Sequence, residues 1–153
     1  MKIWVGLAVW LLLSLSAGFI GSMFTPGEWY QGLEKPSWNP PGWVFGPVWT
    51  TLYILMGIAA WLIWKEAGFS KAQVALTLFL VQLVLNGLWS WLFFGVNRPD
   101  LAFADIVALE VMIVTVMVMF WRIRPSAGAL LLPYALWVGF ASVLNLTLWR
   151  MNA

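Results

Sequence analysis

Five long apolar runs separated by brief polar interruptions make up most of this 153-residue chain. They fall at about 3–23, 43–64, 72–94, 101–121 and 127–149, each close to the roughly 20 residues that a helix needs to cross ~30 Å of hydrocarbon. An open sheet would leave backbone groups unpaired in lipid, so helices are the form expected. The pattern predicts an all-α integral membrane protein: a five-transmembrane-helix bundle forming a single transmembrane domain over residues 1–153. The connections are unequal. "KEAGFSK" at 65–71, "GVNRPD" at 95–100 and "RIRPSA" at 122–127 are short, whereas 24–42 is long enough to fold over something. The opening "MKIWVGLAVWLLLSLSAGF" has the charge and apolar core of a signal peptide. Small residues continue through Ser14, Ala17, Gly18, Gly21 and Ser22 at helical spacing, so it reads as a retained first span. Ser14, Gly18 and Ser22, four apart, read as a face for close helix packing.

Within the runs, polar and aromatic residues keep to faces. At about 100° per residue, Gln82, Asn86, Trp89, Ser90 and Phe93 share one arc of the third run. Tyr134, Trp137, Ala141, Asn145 and Trp149 share one in the fifth, and Trp49, Tyr53, Met56 and Ala60 one in the second. Amides turned to lipid are costly, so these stripes should face the bundle interior, either as interhelical hydrogen bonds or as the wall of a ligand site. Ala141, one turn from Trp137, leaves room beside the indole for a flat ligand. Trp4, Trp61, Trp64, Trp121 and Trp149 are the ones expected in interfacial belts. In the fourth run Asp105 sits about a turn inside. Glu110 falls near the middle, where an ionised carboxylate costs about 3 kcal/mol on insertion scales. The two lie about 140° apart and are no facing catalytic pair. Glu110 reads as a proton-coupling site, a protonated acid bonding a neighbouring helix, or a subunit contact.

The loop 24–42 carries "EKPSWNPPGW", in which Pro36, Pro40 and Pro41 remove donors and fix φ near about −65°, leaving few conformers. It is expected to be a stiff lid. Trp29, Tyr30, Trp38 and Trp43 supply flat rings with polar edges, suited to covering something apolar or to anchoring the loop at the interface. Pro47 is expected in the first turn of the second helix.

Composition narrows the chemistry. Hydrophobic residues are 63% and charged residues 9%, far from a soluble balance. The net charge is +2 and the basic residues stand singly, which gives nucleic-acid binding no support. The chain has no cysteine and no histidine. That removes disulfides, thiol and imidazole nucleophiles, and the commonest metal and haem ligands, so no metal site is expected. Counted by side, Lys2, Lys65, Lys71, Arg122 and Arg124 oppose Lys35, Arg98 and Arg150, which predicts a cytoplasmic N-terminus and an outward long loop.

The stretch "WYQGLEKPSWNPPGWVFGPVWTTLY", with "NGLWSWLFF" and "PYALWVGFASVLNLTLWRMN", resembles the tryptophan-rich sensory protein family, also called the translocator protein or peripheral benzodiazepine receptor family; the resemblance covers nearly the whole chain and points to a bacterial member. It implies a five-helix bundle, commonly a homodimer, that binds porphyrins such as protoporphyrin IX and haem in a pocket under the first loop. In eukaryotic relatives it also implies cholesterol and benzodiazepine-type or isoquinoline ligands. Carried over, the pocket comprises Tyr30 and Trp38 from the lid, Trp49 and Tyr53 from the second span, Asn86, Trp89 and Ser90 from the third, and Trp137, Ala141 and Asn145 from the fifth. "VLNLTLWRMN" lacks the Tyr of the mammalian cholesterol motif, so sterol recognition by that route does not carry over. The family offers no role for Glu110.

Three functions follow as expectations. The first is a porphyrin-binding membrane protein with a sensing, trafficking or stress-related role, in which Asn86 and Asn145 orient a metal-free macrocycle and no cofactor is required. The second is light- and oxygen-dependent porphyrin breakdown, with Trp49 and Trp137 as catalytic residues. The third is a transporter coupled through Glu110 or Asp105.

Overall fold

A computed structural model describes residues 2–153. Its elements are α1 (Lys2–Ser22), a single turn α2 (Glu28–Gln31), α3 (Gly42–Lys71), α4 (Gln73–Ser90), α5 (Pro99–Ile123), α6 (Pro125–Leu130) and α7 (Leu132–Met151). Five helical stretches are long and apolar enough to cross a membrane: α1, α3, α4 with its π-helical extension to Gly95, α5, and α6 with α7. The predicted fold class is the one observed.

Where the boundaries differ, the cause is local. α3 outruns the end expected at 64, and its helix breaks at Gly68 (φ 74°, ψ 160°), inside the connection expected at 65–71, a backbone position that glycine tolerates; a last turn reaches Lys71. At its other end α3 starts at Gly42, so Pro47 lies in the second turn rather than the first, and its missing N–H frees the carbonyl of Trp43. The third span ends in a π turn, Trp91–Gly95, closed by Val96 N–H donating to the Trp91 carbonyl at 2.8 Å. The fifth span is two helices, because Pro133 cannot donate into the ladder and Leu131 becomes the joint. Arg124, just before Pro125, is extended (φ −150°, ψ 109°), as a residue preceding proline prefers.

The helices pack chiefly as α1 on α3, α4 on α5, and α5 on α7. Ser14 Oγ donates to the Tyr53 carbonyl at 2.6 Å. A Cβ on Gly57 would stand 2.9 Å from the Leu11 Cα, and one on Gly18 2.6 Å from the Tyr53 ring. Close packing at Ser14 and Gly18 is thus observed, but Ser22 is exposed and donates only to the Phe19 carbonyl of its own helix. Two of the expected belt tryptophans are packed instead. Trp61 is 9% exposed, stacks on Trp4 and donates Nε1–H to the Ile3 carbonyl at 2.8 Å; Trp64 covers Gly6. Trp4, Trp121 and Trp149 are exposed on the outside of the bundle.

Candidate ligand cavity

Toward the end of the bundle where α1 finishes and α3 begins, the helices part around a cavity of about 930 Å³. Three indoles from three helices line it: Trp49 of α3, Trp89 of α4 and Trp137 of α7. Each ring is braced by a neighbour. Trp49 stacks on Tyr53 one turn below (5.6 Å between centroids), Trp89 stacks on Phe93 (5.1 Å), and Trp137 meets Phe45 edge-on (6.0 Å). The π turn after Ser90 carries Phe93 and Phe94, which reach under Tyr30 of the loop at 6.2 and 5.5 Å. Ala141, one turn above Trp137, also faces the space, as does Ser90.

The floor is a hydrogen-bonded relay across α3, α4 and α7. Tyr53 donates to Asn86 Oδ1, Asn86 Nδ2 donates to Tyr134 Oη at 2.8 Å, and Tyr134 donates to Gln82 Oε1 at 2.6 Å. Gln82 Nε2 ends the run against the Met56 sulfur at 3.8 Å. Gln82, Asn86, Tyr53 and Tyr134 are all buried, so every link satisfies a group that would otherwise be stranded in an apolar interior. Higher up, Trp89 Nε1–H donates to Asn145 Oδ1 at 2.8 Å while Asn145 Nδ2 donates to the Pro99 carbonyl at 2.9 Å. Asn86 and Asn145, expected to orient a ligand, therefore spend both amide ends on protein; they tie helices together.

The roof is the loop between α1 and α3. Tyr30, Lys35, Pro40 and Pro41 line the space from above. The loop is fastened to the far end of α7 by one side chain: Glu34 N–H donates to Asn152 Oδ1 at 2.8 Å, and Asn152 Nδ2 donates back to the Glu34 carbonyl at 2.9 Å. That exchange mimics a strand pair, and it holds the proline-stiffened segment down.

Of the ten residues expected at a pocket, nine border this cavity: Tyr30, Trp49, Tyr53, Asn86, Trp89, Ser90, Trp137, Ala141 and Asn145. Trp38 does not. It lies outside, 44% exposed, with its edge on Phe140 (5.8 Å), because Pro40 and Pro41 occupy the roof in its place. Sequence reasoning missed the whole first wall, where Gly18 and Gly21 of α1 turn a thin face to the space; their close spacing was the available signal. It also missed Ile106 and Leu109 of α5, whose apolar character looks the same whether they face a cavity, a neighbour or lipid. Asp105 is buried and Glu110 partly so, with no hydrogen-bond partner on either carboxyl, and neither borders the cavity. Trp137 Nε1, by contrast, belongs to a cavity-lining side chain and is buried without a partner.

The TspO/MBR family model matches residues 9–150. The chain is similar to a human translocator protein, 44% identical over 139 residues that cover 88% of this chain and 82% of the relative. It is 46% identical over 153 residues to a tryptophan-rich protein TspO of Chlorobaculum tepidum, covering 95% of each. A TspO of Archaeoglobus fulgidus is 42% identical over 146 residues, covering 94% of each.

Proposed function

The chain belongs to the TspO/MBR family of multi-pass membrane proteins, and on that premise we propose that it binds a flat tetrapyrrole, a metal-free porphyrin, in the cavity beneath the first loop. The observation that carries this reading is the convergence of Trp49, Trp89 and Trp137 on one roofed space of about 930 Å³. Ligand sites of small organic molecules run from about 300 to 1,000 Å³ and are mostly apolar with a few placed polar groups. Indole faces suit a macrocycle through dispersion and offset stacking. Trp137 lines that space, while its Nε1–H is sealed in the wall and out of a ligand's reach. Iron gains little here: no methionine borders the cavity and the Tyr53 hydroxyl is taken by Asn86, leaving Tyr30 as the sole phenol to hand among the described residues.

Quenching of intrinsic tryptophan fluorescence by protoporphyrin IX in detergent tests the reading. Saturable quenching that is weakened in Trp49→Ala and Trp137→Ala is the expected result; no binding, or binding unchanged in both, removes it. The second reading, light- and oxygen-dependent breakdown of the porphyrin, draws on the same contacts, because Trp49 and Trp137 would then lie against the photosensitiser as electron donors. It requires a new absorbing product under illumination that is absent in Trp49→Phe or Trp137→Phe. Transport coupled through Asp105 or Glu110 draws nothing from the geometry, since neither carboxyl meets the cavity.

We propose further, from the basic residues counted by side, that the roof lies outside the cytoplasm and, from the family resemblance, that two copies pair in the bilayer. A cysteine at Ser37, in a chain with no other, labels from outside intact cells if the orientation is right, and crosslinking in membranes reads the dimer.

A further inference from the structure

Among the described residues that border the cavity, one carries a charge: Lys35 of the roof. Its ammonium is held in place from three sides. It donates to the carbonyls of Gln31 (3.3 Å) and Leu33 (3.2 Å) and stands 4.7 Å from the centre of the Tyr30 ring, itself part of the cavity wall. None of these neighbours cancels a unit charge. The ion pairs of the molecule lie elsewhere, Arg98 with Asp100 and Arg124 with Glu66. Glu28 and Glu34, the acids nearest in sequence, are exposed and unpaired with it. No aspartate or glutamate borders the space. A half-buried cation beside an apolar chamber is screened less than one in water, so its field reaches a ligand in the chamber more strongly. Carbonyls and an aromatic face orient the ammonium but leave its charge for whatever enters.

We propose that Lys35 sets the charge sign of the ligand: the cavity takes a flat apolar molecule that bears a carboxylate on the edge beneath the roof, and it discriminates against the neutral ester of the same molecule. The inference rests on the porphyrin reading in taking this cavity as the ligand site, and it adds a selection rule that the reading does not contain. The apolar body of such a ligand lies between the indoles. Its carboxylate meets Lys35, where a charge-assisted hydrogen bond forms at the membrane boundary and not deep in lipid.

Lys35 also holds carbonyls at the end of the short turn α2, so a purely structural role has to be separated from recognition. Lys35→Gln keeps a donor for those carbonyls and removes the charge; Lys35→Arg keeps both. The measurement is binding of protoporphyrin IX and of its dimethyl ester to the full chain in detergent, read by tryptophan quenching. In the parent chain the free acid should bind about tenfold more tightly than the ester, the worth of one hydrogen bond to a charged group. That preference falls to about unity in Lys35→Gln and returns in Lys35→Arg, and added salt weakens the acid alone. Equal binding of acid and ester by the parent chain overturns the inference, as does a preference that survives in Lys35→Gln. Equal loss of acid and ester in Lys35→Gln also overturns it, since Lys35 would then only hold the roof. If neither porphyrin binds the parent chain, the porphyrin reading itself falls.

Discussion

The two halves of the bundle are built from the same five spans and a similar stock of residues, yet one is solid and the other hollow. In the half below the floor, alanines and large rings are buried in one core. Ala59, Ala60 and Ala75 are sealed among Trp10, Phe79, Phe120 and Ile63, and Phe79 stacks on Phe120 at 5.9 Å while taking the edge of Trp10. In the half above, the indoles share an open space with small residues: Gly18 and Gly21 of α1, Ser90 and Ala141 all border it. Trp49, Trp89 and Trp137 are each pinned by an aromatic neighbour and cannot collapse inward. Filling an interior needs large residues matched to small ones. Where the rings are braced away from the small residues a space stays open, and the polar relay from Tyr53 to Gln82 marks the boundary.

This contrast makes truncation of an aromatic residue mean different things in the two halves. Phe79→Ala opens a void in the solid half and should lower unfolding stability in detergent by about 3–5 kcal/mol, with porphyrin affinity of the folded fraction little changed. Tyr134→Phe strikes the boundary itself. It leaves Asn86 Nδ2 and Gln82 Oε1 unpaired, at about 1–3 kcal/mol in the same unfolding assay. In the hollow half, Trp137→Ala only widens a space already present. Stability should barely move while porphyrin binding weakens about tenfold, or ~1.4 kcal/mol. Equal stability losses for Phe79→Ala and Trp137→Ala would erase the distinction. Smallest of all, Asn152→Ala removes the two hydrogen bonds that fasten the roof, about 1 kcal/mol at an exposed site. Its signature is kinetic: faster porphyrin dissociation by a few-fold in stopped-flow, with unfolding stability lowered by no more than about 1 kcal/mol.

Much of the site was legible because its residues are unusual for their setting. Asn86, Trp89 and Asn145 are conspicuous in apolar helices, and period-3.6 spacing places such residues on interior faces. What they do there was not legible. A buried amide can bond a ligand or a neighbouring helix, and only the positions of Tyr134 and the Pro99 carbonyl show that the protein takes both ends. Trp38 failed for a related reason. A proline-rich segment has few conformers, but which of its side chains point down depends on where the roof is tied, and Asn152 is 118 residues away from Glu34. The second span outran its expected end at 64 because charge marks the end of an apolar run, not the end of a helix; the break itself, at Gly68, fell inside the expected connection.

Sequence by itself determined the medium, the number of spans and the faces that turn inward. Those follow from local free energies: the cost of backbone groups and amides in lipid, and the fixed angle between successive side chains. Tertiary structure alone decided that α1 closes the cavity with its glycines, that Asn86 and Asn145 are spent on protein, and that Lys35 rather than Trp38 lines the space. Each of these depends on which groups from distant segments come within a few ångströms, and such contacts are set by how all the helices pack at once.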